Sequence, residues 1–272
     1  MADQRLRNTV EAVGASALGA LRYAGGMALL LAATGQWVAK GLLIPRVKFG
    51  RANLAAQIVR LGAKSLPIVV LVQTFIGVIL ALQMTPPLEL YGQESQISSI
   101  IGVAGFRMLG PIITAVVLSG FAGASMAAEL GTMVVAEEIE AMTAMAINPV
   151  RHLVVPRILA SIVAAVGLSV IADLMISFGG YLTAKLVLAP EVHQHYWQYM
   201  RDMLEYRDFY TGLIMAAVFG TLISLIACYE GLKVTGGAEG VGRATTMTVV
   251  YSIVAIIIAA CIFTVIFYVY GI

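Results

Sequence analysis

Apolar residues are concentrated in five runs, each long enough to cross a membrane as a helix. A helix of about 20 residues spans the roughly 30 Å apolar core of a bilayer. The runs cover residues 66–84, 105–127, 158–188, 209–229 and 249–272. The pattern predicts an all-α polytopic membrane protein, with a five-helix transmembrane domain over residues 66–272.

A sixth apolar run, residues 24–43, is less regular. Glycines, Gln36 and Lys40 interrupt it, and basic residues flank both of its ends. This favours a helix lying in the membrane interface over a sixth span. Residues 45–64 then carry many Arg and Lys side chains, so we expect residues 1–65 to form cytoplasmic and interfacial elbow helices.

Positive charge is distributed unevenly along the chain. Nine of the seventeen Lys and Arg residues precede the first predicted span. Basic residues are retained on the cytoplasmic side of membranes, so this predicts a cytoplasmic N-terminus. Five crossings then place residues 127–157 and 230–243 inside and residues 189–208 outside.

A charged amphipathic segment, residues 127–157, joins the second and third runs. At about 100° per residue, Glu137 and Glu140 lie opposite an apolar stripe, with Glu138 between the two faces. The stripe consists of Val135, Ile139, Met142 and Ala146. Pro149 is expected to end the helix. The pattern alone fits either a solvated connector between spans or a helix that contacts a partner.

Composition narrows the class of protein. With 60% hydrophobic residues, 12% charged residues and a mean hydropathy of +0.91, the chain cannot cover a water-facing surface. The net charge of +2 is small and scattered, which argues against nucleic acid as a partner.

Cys228 and Cys261 lie in apolar runs and are expected to be small buried residues. The sequence contains no GxSxG, HExxH or P-loop motif, so any ATP must be bound by another chain.

Several isolated polar residues leave alternatives open. Asp173 in the third run is either functional or a hydrogen-bonding group between helices. Arg107, near the start of the second, either snorkels to headgroups or presents a cation to an anionic ligand. His193 and His195 form an H-x-H pair, which fits solvated or structural histidines better than a metal site. The glycine-rich run at 236–243 fits a flexible turn better than a phosphate cradle.

Four strings together carry a resemblance to a known family. They are R-x-L-G-P at 107–111, the charged segment at 127–157, a Gly-Gly pair at 179–180, and CYEGLKVTGGAEGVGRATTMTVV at 228–250. Their order and spacing match from about residue 15 onward. The chain resembles the MlaE/YrbE family, permease subunits of bacterial ABC lipid transporters that work with MCE-domain proteins.

The resemblance implies a function and a set of partners. The expected protein is a homodimeric permease in the bacterial inner membrane that moves phospholipid to or from a periplasmic MCE carrier, maintaining outer-membrane lipid asymmetry. An ATPase subunit would bind ATP and Mg, and the MCE protein would form a hexameric ring. A STAS-domain protein accompanies some members. The segment at about 129–147 would be the coupling helix, and its ATPase-contacting residues would be Glu137, Glu138, Glu140 and Met142.

The resemblance also implies a lipid cavity near the outer face. An ungapped match of residues 81–95 and their flanks assigns its lining to Leu80, Leu88, Tyr91 and Arg107. Apolar side chains suit acyl chains, and a cation suits a phosphate. Some members carry an acid and a lysine where this chain has Met108 and Met215, so a more apolar cavity is expected.

Two functions from other classes compete with transport by an ABC permease. One is an ion-coupled secondary transporter that uses Asp173 as a proton site. The other is a membrane-embedded lipid-modifying enzyme with Asp173 or the histidine pair as acid–base groups. No nucleophile or second carboxylate is placed beside these residues in the sequence, and no internal repeat is evident.

Overall fold

The computed structural model describes residues 2–43, 51–187 and 190–271, and within them the chain forms α-helices without any β-strand. The helices are α1 Ala2–Leu43, α2 Arg51–Ile58, α3 Leu66–Leu90, α4 Gln96–Ala104, α5 Gly110–Leu118, α6 Ala124–Val135, α7 Glu138–Ala144, α8 Val155–Val187, α9 Pro190–Gln194, α10 Tyr196–Met203, α11 Tyr206–Leu232 and α12 Gly237–Tyr270. Four short π-helical turns interrupt or extend these helices. The first follows α2, the second lies between α4 and α5, the third lies between α5 and α6, and the fourth precedes α8.

Five helical columns are long and apolar enough to cross a membrane. They cover Leu54–Leu90, Gln96–Val135, Val150–Val187, Tyr206–Leu232 and Gly237–Tyr270. The prediction of an all-α polytopic protein with five spans is confirmed. Most columns extend beyond the apolar runs, because backbone hydrogen bonding continues through polar residues once the helix has started. The N-terminal helix α1 is not among the five.

Helix α8 is the centre of the bundle. It packs against α3 on one side and α11 on another, with α5 and α2 completing its surroundings. By contrast, α12 exposes a broad apolar face that includes Ile257, Ile258 and Ile262. Such a face suits lipid or another apolar surface rather than water. Cys228 is buried as expected, but Cys261 lies on the exposed face of α12, so its predicted burial is wrong.

Helices α3 and α8 approach one another at glycines. The position of a side chain on Gly77 is occupied by the backbone carbonyl of Ile176, and that on Gly179 by the carbonyl of Thr74. In a membrane, the hydrophobic effect does not drive helices together, and close packing at small residues takes its place. The two glycines therefore set the distance between the first and third spans.

The N-terminal helix α1 packs near one end of the bundle, the end that carries α7. Met27 and Leu30 pack against an apolar cluster around Leu153, and Trp37 lies 5.4 Å from the Arg151 guanidinium. Tyr23 stacks edge-on against Tyr229 and Tyr251. These contacts are spread over about 20 Å of helix, at about 1.5 Å per residue, yet all lie near the same end. They support a helix that runs along this end; its interfacial position and the domain boundary at residue 65 stay predictions.

The turn between α11 and α12 is compact. Gly236 and Gly237 have φ angles of 88° and 68°, which are accessible to glycine without strain. Helix α12 begins at Gly237, so the rest of the glycine-rich run is helical rather than a flexible turn.

We expect Gly77→Ala and Gly179→Ala to destabilise the protein by about 1–3 kcal/mol each, because the added methyl group forces two backbones apart. Thermal unfolding of the purified protein in detergent measures the effect. The matched control is Gly167→Ala in α8, where a methyl group meets nothing within 4 Å. It should be neutral or stabilising by up to about 1 kcal/mol. Equal midpoints for all three variants would contradict the proposed helix contact.

Candidate functional site

A cavity of about 550 Å³ opens near the end of the bundle that carries α10. Its walls come from α4, the turn that follows it, and one residue of α10. They are formed by Ser99, Ile100, Val103, Ala104, Arg107, Met108, Leu109 and Met203. Apart from Ser99 and Arg107 these side chains are apolar, so the cavity suits an aliphatic ligand.

The wall of this cavity is positioned by an irregular stretch of the second span. Residues Gly105–Leu109 form a π-helical turn, which changes the direction of the side chains relative to a regular α-helix. Gly105 lets the turn lie against the Ile176 side chain of α8. The carbonyl of Gly110 accepts a hydrogen bond of 3.2 Å from Gln73 Nε2 of α3. The second span is therefore held against both the first and the third.

The Arg107 guanidinium is paired at the edge of the cavity. Its Nη1 lies 3.7 Å from Asp208 Oδ1, and its Cζ lies 5.9 Å from the centre of the Phe267 ring. Asp208 is buried and caps α11, since its Oδ2 accepts a hydrogen bond of 3.2 Å from the Glu205 backbone N–H. Asp208 was not among the predicted site residues, although Glu205 three residues earlier has the spacing of a capping box.

At the other end of the bundle, the charged segment is not one continuous helix. Helix α6 ends at Val135, Glu137 adopts a left-handed φ of 58°, and α7 is a separate short helix. Ala146 is also left-handed, with φ of 60°. The expected helix over residues 129–147, ended by Pro149, is therefore wrong. One left-handed residue therefore separates α7 from α6, and the other follows the end of α7.

This break separates the two faces of α7. Ile139 and Met142 are half-buried against the cluster around Leu153, whereas Val135 and Ala146 are exposed, so the stripe of four is not formed. All three acids of the segment, Glu137, Glu138 and Glu140, are exposed. The acids in the first turn of α7 also stabilise the positive end of the helix dipole. The result is a short acidic surface anchored by two apolar side chains.

Comparison with known proteins identifies the family. Residues 54–266 match the model of the family "Permease MlaE". The chain belongs to the MlaE permease family.

Relatives of this MlaE permease carry consistent names. It is 37% identical over 212 residues to a probable ABC transporter permease protein of Rickettsia felis, covering 78% of this chain and 82% of the relative. Over 216 residues it is 32% identical to a probable ABC transporter permease protein of Synechocystis, covering 78% and 80%. It is also 33% identical over 226 residues to the chloroplastic protein TRIGALACTOSYLDIACYLGLYCEROL 1 of Arabidopsis thaliana, covering 80% and 63%. The protein is thus a multi-pass ABC transporter permease, which favours transport over the competing ion-coupled and enzymatic functions.

The four residues that the resemblance assigned to a lipid cavity lie in different surroundings. Arg107 lines the cavity. Leu80 and Leu88 are half-buried against the cluster of Ile97, Ile101 and Ile176, and Tyr91 is 80% exposed at the end of α3. Leu109 packs against that same cluster and also lines the cavity, which connects the two. A role for the three first-span residues stays a prediction.

Met108 and Met215, the two methionines noted in the sequence, are separated in the structure. Met108 lines the cavity, and its sulfur lies 3.9 Å from the Thr264 hydroxyl of α12. Met215 is buried in the main apolar core. Position 108 therefore contributes a thioether to the cavity wall and not a carboxylate. The carboxylate that pairs with Arg107 comes from Asp208 of α11.

The other polar residues singled out from the sequence do not join either site. Asp173 is 2% exposed and lies beside Gly110, whose missing side chain leaves room for the carboxyl group. Its Oδ1 has no hydrogen-bond partner among the described residues. His193 and His195 lie in or beside α9, and no group of three or more His, Cys, Asp or Glu side chains suited to a metal occurs in the described ranges.

We expect Asp208→Ala to lower the free energy of unfolding by about 1–2 kcal/mol, chiefly through loss of the α11 cap. The ion pair with Arg107 adds little to this value, because its atoms are 3.7 Å apart and the Arg107 side chain is 35% exposed. Asp202→Ala, at an exposed position of α10, is the matched control and should change stability by less than about 0.5 kcal/mol. Thermal unfolding of both variants measures the difference, and equal midpoints would contradict the assigned role of Asp208.

Proposed function

We propose that this permease moves phospholipid between the bacterial inner membrane and a periplasmic MCE-domain carrier. The observation that carries the proposal is the 550 Å³ cavity with apolar walls and Arg107 at its edge. Acyl chains fit such walls, and a guanidinium binds phosphate through charge-assisted hydrogen bonds. A plant relative named for trigalactosyldiacylglycerol supports a lipid as the class of substrate. By this route the transporter maintains outer-membrane lipid asymmetry.

The energy for transport comes from a separate ATPase subunit, which binds ATP and Mg²⁺. We assign its contact to α7, because the exposed acids Glu137, Glu138 and Glu140 form a surface that can meet a basic groove. Ile139 and Met142 face the permease itself. Met142 is therefore assigned to holding α7 in place rather than to touching the ATPase.

The proposed assembly contains two copies of the permease. A homodimer would place the cavity of each chain near the other, and the exposed apolar faces of the bundle provide surface for that contact. A hexameric MCE ring would cover the end that carries α10, and a STAS-domain protein would bind the ATPase. The excess of basic residues before the first span supports a cytoplasmic N-terminus and a cytoplasmic α7.

We expect Val103→Trp to reduce the phospholipid that co-purifies with the complex several-fold, because the indole fills the cavity and competes with acyl chains. Lipid extracted from the purified protein and quantified by mass spectrometry measures the effect. The matched control is Val163→Trp, at an exposed position of α8 away from the cavity walls. Leu80→Trp tests whether the first span also contributes to the site. Unchanged lipid in Val103→Trp would contradict the assigned cavity.

Reversing the charge of Glu137 and Glu140 to Lys should release the ATPase or abolish lipid movement while the permease stays folded. The reason is that both side chains are exposed, so the change alters a surface and not the core. Co-purification with the ATPase and lipid flux in vesicles are the measurements. Glu239→Lys, at an exposed position in the first turn of α12, is the control. If the α7 variant binds and transports normally, α7 is not the coupling element.

A further inference from the structure

A second ionic cluster lies beneath α7, and none of its members belongs to the surfaces described above. Glu129 of α6 is its centre. Its Oε2 accepts a hydrogen bond of 2.7 Å from Arg60 Nη1, and its Oε1 lies 3.1 Å from Arg157 Nη2. Arg60 belongs to the turn that leads into the first span, and Arg157 to the first turns of α8. One carboxylate thus joins the first, second and third spans.

The cluster is more than a surface ion pair. The Arg157 side chain is only 5% exposed, and its Nη1 donates to the Leu153 carbonyl over 2.9 Å. Arg60 is anchored a second time, because its Nη2 donates to Ser125 Oγ on α6 over 3.3 Å. A buried guanidinium is destabilising when its carboxylate partner is removed, because an uncompensated charge is then left in the interior.

The two sides of the cluster come from chain positions on either side of α7. Glu129 lies on α6 before residues 136–149, and Arg157 lies on α8 after them, so their ion pair closes the base of that stretch. The two ends of the stretch that carries α7 are therefore tied to each other at this ion pair. Arg60 then connects the same point to the first span.

A cavity of about 200 Å³ adjoins the cluster. Gln57 of α2 and Met133 of α6 line it together with Glu129 and Arg157. Gln57 Oε1 and Arg157 Nε are buried, and neither makes a hydrogen bond to any residue that the structure describes. Close-packed side chains have little freedom to change partners, whereas a polar cavity with a spare donor and a spare acceptor permits a second arrangement.

We propose that Glu129 is the positioning residue through which movement of α7 reaches the first and third spans. This inference rests on the proposed role of α7 as the ATPase contact. Glu129 acts through Arg60 and Arg157 and does not touch the ATPase or the lipid. In this arrangement ATP hydrolysis moves α7, and the charged cluster transmits that movement to the spans because its members must move together or exchange partners within the adjoining cavity.

The test is Glu129→Gln, which keeps the size of the side chain and removes its charge. The permease and its ATPase are reconstituted in phospholipid vesicles, and bound ATPase, ATP hydrolysis and lipid flux are measured on the same preparation. We expect normal ATPase binding, while lipid flux per ATP hydrolysed falls about tenfold, within the usual range of coupling between distant sites. Glu129→Asp, which keeps the charge, should restore a large part of the flux per ATP.

The matched control is Glu239→Gln, which removes one exposed acid from the first turn of α12, outside both α7 and the cluster, and should leave flux per ATP unchanged. Arg60→Gln provides a second variant in case Glu129→Gln does not fold, because Arg60 is 40% exposed and its loss removes one arm of the cluster. It should also lower flux per ATP. Normal flux per ATP in either cluster variant, or loss of ATPase binding with normal flux in the complexes that remain, would overturn the inference. If the wild-type complex shows no ATP-dependent flux, the proposed function itself fails.

Discussion

The contact between the backbones of α3 and α8 is the constraint on which the rest of the bundle depends. Gly77 and Gly179 allow it, and Ile176 links it to the cavity. The carbonyl of Ile176 faces Gly77 of the first span, while its side chain faces Gly105 in the π-helical turn of the second. Because lipid offers helices no hydrophobic driving force to associate, such close packing must hold the spans. The cavity wall is therefore a consequence of the same contact.

Charged side chains form a cluster near each end of this packed core. Arg107 and Asp208 join the second and fourth spans beside the cavity. Glu129 joins the first three spans beneath α7. Charges are costly in the apolar core of a bilayer, and pairing limits that cost near the ends of the spans. The α4–α6 column runs from one cluster to the other and contains two π-helical turns.

The charged segment shows where reasoning from periodicity stops. A helical wheel correctly places Ile139 and Met142 on one face and Glu140 on the other, since all three residues lie within α7. It fails for Val135 and Ala146, because left-handed backbone at Glu137 and Ala146 ends the helix on either side. Neither residue is a glycine, so the local sequence carries no strong signal for these left-handed conformations. Packing of α7 against the bundle decides them.

The sequence by itself determined the five spans and the family, because span formation depends on local hydropathy and the family on motifs in a fixed order. It could also place Arg107 near a cavity by resemblance. Only the tertiary structure decided which charges meet. Arg60 and Glu129 are separated by 69 residues, and Arg107 and Asp208 by more. The local pattern of apolar and polar residues does not predict such partners, since the distance between two side chains in space depends on how whole helices pack.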